Sequence, residues 1–332
     1  MKKTAALWLL ACAPLVQGES KKIVVAGMSP AAIAELQGVS PEARIVAASG
    51  SSTLAEAADA DAIFGTIDRD LFHAARKLKW VQVYSAGVEN YLFPEFRNSG
   101  VVLTNCKIIQ GPEIADHAFA LLLALTRDLY RTIPLRSSEV LPRASLHPME
   151  LRGKTAVVVG VGGIGSQIAQ RAFAFGMTVI GVDPKDMPFN PYVSRMVYPD
   201  QIDEVLPLAD VVFLSAPHTP QSEGMIGPRE FEAMKKGAYF VAVSRGKLYN
   251  TDALVKALDS RRLAGAGLDV TNPEPLPKGH PLWKFENVVI TPHIAGQSDE
   301  VQGRRMELLK ENLARFIKGQ PLLNVVDKQK GY

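Results

Sequence analysis

"VVVGVGGIGSQIA", residues 157–169, decides how the rest of the chain is read. A run of valines forms a strand, glycines follow at 160, 162 and 165, and a helix opens directly behind them. The GxGxxG spacing alone is a weak signal; the strand before it and the helix after it supply the context its chemistry needs. Gly160 permits a tight turn, Gly162 lets backbone approach a pyrophosphate where a side chain would collide, and Gly165 lets the helix pack on the strand. The first turn of such a helix presents unpaired N–H groups and a partial positive charge to phosphates. The bland alternative is a generic strand-to-helix turn. The next strand, "TVIGVD", ends at Asp183, eighteen residues after Gly165. An acid there accepts hydrogen bonds from a ribose 2′-OH and repels a 2′-phosphate, which favours NAD over NADP. Nearby Lys185 pulls the other way.

Outward from this loop, short β runs alternate with helical stretches in both directions. Before it come "KIVVAG" (22–27), "ARIVAA" (43–48), "AIFGT" (62–66), "WVQVYS" (80–85) and "VVLTNC" (101–106). After it come "VVFLSAP" (211–217), "AYFVAVS" (238–244), "AGAGLDV" (264–270) and "NVVITP" (287–292). Alternation of this kind implies right-handed crossovers and parallel sheets. The fold class is therefore α/β, with two doubly wound parallel-sheet units. A helix is expected over 29–37, with Ser29 as its N-cap and Pro30 in its first turn. Others are expected over the Ala-rich 53–62, the long apolar 111–131, and a polar amphipathic stretch from Ser298 to about Lys318. Residues 132–154, with Pro134, Pro142 and Pro148, read as a connector.

The chain has 332 residues, 47% hydrophobic and 21% charged, with a net charge of +3, so nothing points to a nucleic-acid footprint. Residues 1–18 read as an export signal: Lys2 and Lys3, an apolar stretch from Thr4 to Val16, and cleavage expected after Gly18. That places the protein in an exported or periplasmic setting, with the cytoplasm as the alternative. "LLAC" ending at Cys12 also has the look of a lipid-attachment box, and a retained tail is a third reading. No stretch is long enough to span a bilayer. With only Cys12 and Cys106 present, no cysteine metal site is available, and Cys106 reads as a small buried hydrophobe.

Ligands of open α/β sheets sit beyond the carboxyl ends of the strands. Three ionisable residues follow strand ends there: Arg245, Glu274 and His293. Histidine titrates near neutrality and serves as acid in one direction and base in the other. A carboxylate on its second ring nitrogen fixes the tautomer and favours the imidazolium. Arginine makes forked hydrogen bonds to a carboxylate and polarises the carbonyl beside it. Together they fit hydride transfer between a nicotinamide and a small 2-keto acid. Taken singly, the arginine reads as a surface ion pair, the glutamate between two prolines as a turn, and the histidine as a strand-end residue.

The segments "AVSRGKLYNTDALVKAL", "AGLDVTNPEPLPKGHPLW" and "NVVITPHIAG", in this order and with the glycine loop and "SAPHTPQSEGMIG", resemble the D-isomer-specific 2-hydroxyacid dehydrogenases across most of 80–320. The resemblance implies that Arg245, Glu274 and His293 are catalytic, and that Asp269 holds the nicotinamide carboxamide. It implies Gly163 and Ile164 at the pyrophosphate and Asp183 at the ribose. Ala216, Pro217, Val243, Ser244 and Gly296 would line the cofactor site. The loop "YSAGVEN" (84–90) would cradle the substrate carboxylate through Ala86, Gly87 and Val88, a nest suited to an anion. The implied architecture is a Rossmann-like cofactor domain, 127–298, inserted in a flavodoxin-like substrate domain of 20–126 plus 299–332. Dimerisation through the cofactor domain is implied as well. Ala242 replaces a usual asparagine, Asp116 a usual glutamate, and Thr271-Asn272 an aromatic and a charged residue. The alternative function is an exported dinucleotide-binding clamp of the same fold that does not turn over.

Overall fold

The computed structural model describes residues 20–140 and 143–332. The signal-like stretch and Cys12 lie outside the described residues. Among the described residues, twelve strands form two sheets, every pairing within them parallel. The first holds β1 (Lys21–Ala26), β2 (Ala43–Ala48), β3 (Ala62–Gly65), β4 (Trp80–Val83) and β5 (Val102–Thr104), in the order β2-β1-β3-β4-β5. The second holds β6 (Thr155–Val159), β7 (Thr178–Val182), β8 (Arg195–Val197), β9 (Val211–Leu214), β10 (Ala238–Ala242), β11 (Leu263–Leu268) and β12 (Val288–Ile290), in the order β12-β11-β10-β9-β6-β7-β8. The strand order reverses between β1 and β3 in the first sheet and between β6 and β9 in the second. Such reversals open crevices at the carboxyl ends of a doubly wound sheet.

Side-chain alternation explains why both faces of each sheet are covered. In β6, Val157 and Val159 face one core with Val212, Leu214 and Phe240. Ala156 and Val158 face the other, with Val211, Phe213 and Val241. The first sheet divides Val24, Ile63 and Val81 from Ile23, Ala62, Phe64 and Trp80 in the same way. Several strands stop short of the expected ends. Ser215, Ala216 and Pro217 leave the ladder after Leu214, where the chain turns against the glycine loop. β8 is an edge strand that sequence reading missed: two of its three residues are exposed, so no apolar periodicity marks it.

Two helices end earlier than expected. The helix read as 111–131 runs over Gly111–Thr126. Asp128 then takes a left-handed conformation (φ 57°) that interrupts the helix, its carboxylate accepting the His147 N–H at 2.6 Å, and the rest of the expected stretch forms a separate short helix, Leu129–Thr132. The helix read as 53–62 covers Ser51–Ala57, because Asp61 is drawn to β1, its carboxylate accepting the Lys22 N–H at 3.0 Å. The Ser29 cap is present, its hydroxyl accepting the Ala32 N–H at 3.3 Å.

The helix Gly111–Thr126 buries Ala118, Leu121 and Leu122 in the second sheet's core beside Val158 and Ala169. Its packing therefore lies with the second sheet, although the expected boundary at 126 assigned it to the first. The helix Val301–Ile317 returns to the first sheet, burying Leu309 and Leu313 against Trp80. A buried network fixes that return: Trp80 Nε1 donates to Thr104 Oγ1 (2.7 Å), Thr104 to Gln82 Oε1 (2.7 Å), and Asn312 Nδ2 to the same oxygen (3.1 Å). Since a polar group buried without a partner is costly, this closed set specifies the docking.

Candidate active site

The glycine loop has the shape its spacing implied. Gly160 sits at φ 88°, and a Cβ there would stand 2.5 Å from Ala216 N. Both the dihedral and the crowding exclude a side chain. A Cβ on Gly165 would strike the Gly160 carbonyl oxygen. At Gly162, the N-cap of the helix Gly163–Ala174, a Cβ would meet nothing within 4 Å. Open space in front of unpaired helix N–H groups is the cradle a pyrophosphate requires, so the residues fit a dinucleotide. Gly163 backs onto Lys107, whose carbonyl oxygen would be 2.9 Å from an added Cβ, and Ile164 packs at the margin of the second core.

Asp183 closes the far end of this loop. Its Oδ2 accepts the Val161 N–H (2.9 Å) and its Oδ1 accepts the Lys185 N–H (3.0 Å). Each carboxylate oxygen still has a lone pair for a hydroxyl. Val243 and Ser244 continue from β10 past the strand end, with the Ser244 hydroxyl donating to Leu214 O at 3.2 Å. Pro217 leaves the crevice in a turn in which its carbonyl accepts the Ser222 hydroxyl at 2.7 Å. Gly296 faces Gln110, whose Nε2 would lie 3.1 Å from an added Cβ.

β10, β11 and β12 are neighbours, so the loops that follow them are neighbours too. His293 Nδ1 lies 2.6 Å from Glu274 Oε1, and both side chains are partly exposed. Glu274 Oε2 also accepts the Thr271 N–H at 3.3 Å. The loop that starts at Arg245 packs directly on this segment: a Cβ on Gly246 would collide with the Thr271 carbonyl. Arg245 itself reaches across to the first sheet's loop. Its Nη2 lies against Gly87, where any Cβ would collide with it, and its Nη1 donates to Ser244 O at 2.8 Å. Ala86 is held by Asn105, which donates to its carbonyl at 2.6 Å, and Val88 is buried below. The two units thus meet where the guanidinium touches the loop "SAGV".

Sequence reading missed three residues here. Glu89 accepts Arg245 Nε at 2.5 Å. Burial pushes its carboxyl up, but the Arg245 charge and hydrogen bond outweigh that and hold it below the usual range. His117 Nε2 lies 2.8 Å from Thr291 Oγ1, which in turn donates to Asp269 Oδ1 at 2.7 Å. Asp269, expected at a carboxamide, has a wholly buried side chain whose carboxylate also accepts the N–H groups of Ile294 and Ala295, each at 2.9 Å. With the Asp269 carbonyl accepting the His293 N–H (3.0 Å), the residue shapes the turn that carries the histidine at φ 54°. Asp116 accepts Arg171 Nε at 2.7 Å. Among the described residues no cluster of side chains could hold a metal ion.

Comparison with known proteins agrees with this geometry. The family model described as "D-isomer specific 2-hydroxyacid dehydrogenase, NAD binding domain" matches residues 119–295, just over half of the chain. A glyoxylate reductase from Korarchaeum cryptofilum is 36% identical over 269 residues, covering 79% of this chain and 80% of that protein. Among solved structures, a D-isomer specific 2-hydroxyacid dehydrogenase family protein from Aeromonas salmonicida superposes with a TM-score of 0.81 at 29% identity, covering 93% of this chain and 99% of that one. An NADPH-dependent glyoxylate/hydroxypyruvate reductase from Sinorhizobium meliloti, solved with NADP and sulfate, gives 0.80 at 25% identity, with 94% and 100% covered.

Proposed function

The chain belongs to the D-isomer specific 2-hydroxyacid dehydrogenase family, and on that premise we propose that it interconverts a small 2-keto acid of the glyoxylate, hydroxypyruvate or pyruvate class with its D-2-hydroxy acid. It is an NAD(P)-dependent oxidoreductase. The observation that carries the reading is the 2.6 Å contact between His293 and Glu274, one strand from an arginine that touches an anion-binding loop. With its pyrophosphate held by the glycine loop, a dinucleotide would supply the hydride from its nicotinamide ring. Arg245 forks onto the substrate carboxylate and polarises the neighbouring carbonyl, with the Gly87 and Val88 N–H groups as further donors. Glu274 holds Nδ1, so Nε2 is the ring nitrogen that gives its proton to the carbonyl oxygen in reduction and takes it back in oxidation. We assign the preference to NAD, on the Asp183 carboxylate beside the loop.

The substrate unit is proposed to comprise the first sheet with the returning helix, and the cofactor unit the second sheet. A homodimer through the cofactor unit is supported by exposed apolar side chains there, Leu129, Ile133, Phe173 and Phe175. Export is supported by the layout of residues 1–18, and mass spectrometry of the native N-terminus tests it. The functional test is a keto-acid panel with NADH and NADPH, followed by absorbance. NADH-dependent reduction of at least one member is expected, and binding of NADH with no turnover of any keto acid overturns the reading.

A further inference from the structure

The segment after β12 and the returning helix does more than complete the first sheet. Val326 donates to Leu103 O at 2.9 Å, and the Lys328 ammonium caps three carbonyls, Phe96 (2.9 Å), Ser99 (2.8 Å) and Val101 (2.7 Å). Residues 327–332 then fold on themselves, Gly331 N–H donating to Asp327 O at 2.8 Å. Gly331, at φ 83°, stands between the two units: a Cβ there would lie 3.6 Å from Thr219 and 3.8 Å from Leu92. Tyr332 is thereby carried from the first unit onto the end of β7, where the Lys185 ammonium rests 4.0 Å from its ring centre. Burial pushes the Tyr332 phenol up, and the Asp183 and Asp327 carboxylates add to it, which places the ring in the field of the expected ribose acid.

Beside the glycine loop, burial lowers the Lys107 ammonium's pKa and the nearby Lys185 charge adds to that. Left free, Lys185 would swing towards a 2′-phosphate and offset Asp183. We propose that Tyr332 sets coenzyme selectivity: by holding Lys185 on its ring face, it withholds that cation from the 2′-position and leaves Asp183 to select the unphosphorylated ribose. Tyr332 is a positioning residue acting through Lys185. The proposal rests on the nucleotide-site reading above.

The test is fluorescence titration of the full chain with NADH and with NADPH. Tyr332→Leu removes the ring face, and the affinity for NADPH relative to NADH is expected to rise about 2- to 5-fold. Tyr332→Phe keeps the face and is expected to hold the original ratio. In a Lys185→Met background, Tyr332→Leu is expected to leave the ratio unmoved. An unchanged ratio in Tyr332→Leu, or an equal change without Lys185, overturns the proposal. Asp183→Asn separates the two readings. If it raises relative NADPH affinity while Tyr332→Leu does not, only the role of Tyr332 falls; if it alters neither coenzyme's binding, the site assignment falls and the proposal with it.

Discussion

His293 and Glu274 form a unit in which each residue explains the other's position. Removing the acid in His293→Ala is expected to slow keto-acid reduction by about 10²- to 10⁴-fold while NADH binding is retained. Steady-state kinetics with a parallel titration checks this, and wild-type-like turnover would sink the assignment. Glu274→Gln keeps the shape but loses a charge-assisted hydrogen bond of about 1.5–3 kcal/mol, so turnover is expected to fall roughly 10- to 150-fold. Glu89 is a separate matter, because it holds Arg245 rather than the histidine. Its folded carboxyl lies below the usual range, so the pair is intact above that range and is lost only as pH falls through the lowered value. The keto-acid KM of the wild type is therefore expected to stay flat on acidification until below the ordinary carboxylate range. In Glu89→Gln it should be raised at every pH and show no such break. A wild-type KM that already climbs between pH 6 and about 5 contradicts the pairing. Glu274 and His293 were readable because strand-end residues beside a glycine loop share a crevice. Glu89 was not, since a carboxylate in a loop resembles any surface charge, and its partner is 156 residues away.

At the level of elements, the turn after β12 is where sequence gave the position but not the cause. The chain "ITPHIAG" shows a strand end, yet the turn's shape comes from Asp269 at the end of the neighbouring strand. Its carboxylate satisfies the Thr291 hydroxyl and the N–H groups of Ile294 and Ala295. Asp269→Ala strands those donors, each costing about 1–3 kcal/mol when buried unpaired. A loss of roughly 2–5 kcal/mol in urea unfolding is expected, with turnover falling alongside because His293 loses its turn. Asp269→Asn preserves volume but turns an amide towards an N–H, and is expected to be about as harmful. If the asparagine variant keeps wild-type stability, space-filling rather than acceptor chemistry holds the turn. The same logic explains what periodicity could not show elsewhere. Helical residues continue on both sides of Asp128, and its left-handed backbone, with the bond to His147, breaks the stretch into Gly111–Thr126 and the short Leu129–Thr132. Strand order, likewise, depends on which edges meet in three dimensions, and no single strand encodes it.

On the scale of the whole molecule, the chain crosses between its two units through Gly111–Thr126 and returns through the start of Val301–Ile317. Arg304 on the return fastens to the first crossing, its Nη2 donating to Glu113 Oε2 at 2.7 Å and its Nε to Ile109 O at 3.0 Å. Glu113 is buried, and its Oε1 has no partner among the described residues. Among the described residues, Arg304 is the one cation that forms an ion pair with this carboxylate. Breaking such a pair from one side leaves an uncompensated buried charge, whereas replacing both members with apolar residues of similar volume is often neutral. Arg304→Met is accordingly expected to lower stability by about 3–5 kcal/mol, and Arg304→Met with Glu113→Leu to recover most of it. Urea unfolding followed by circular dichroism measures both. Because the bond spans the two crossings, the double variant should regain its unfolding midpoint without regaining the stiffness between units. Cleft closure is then freer, and its mark is a raised KM for keto acid at near-normal stability. A double variant as unstable as the single one would mean that the bond matters for local packing and not for how the two units are held.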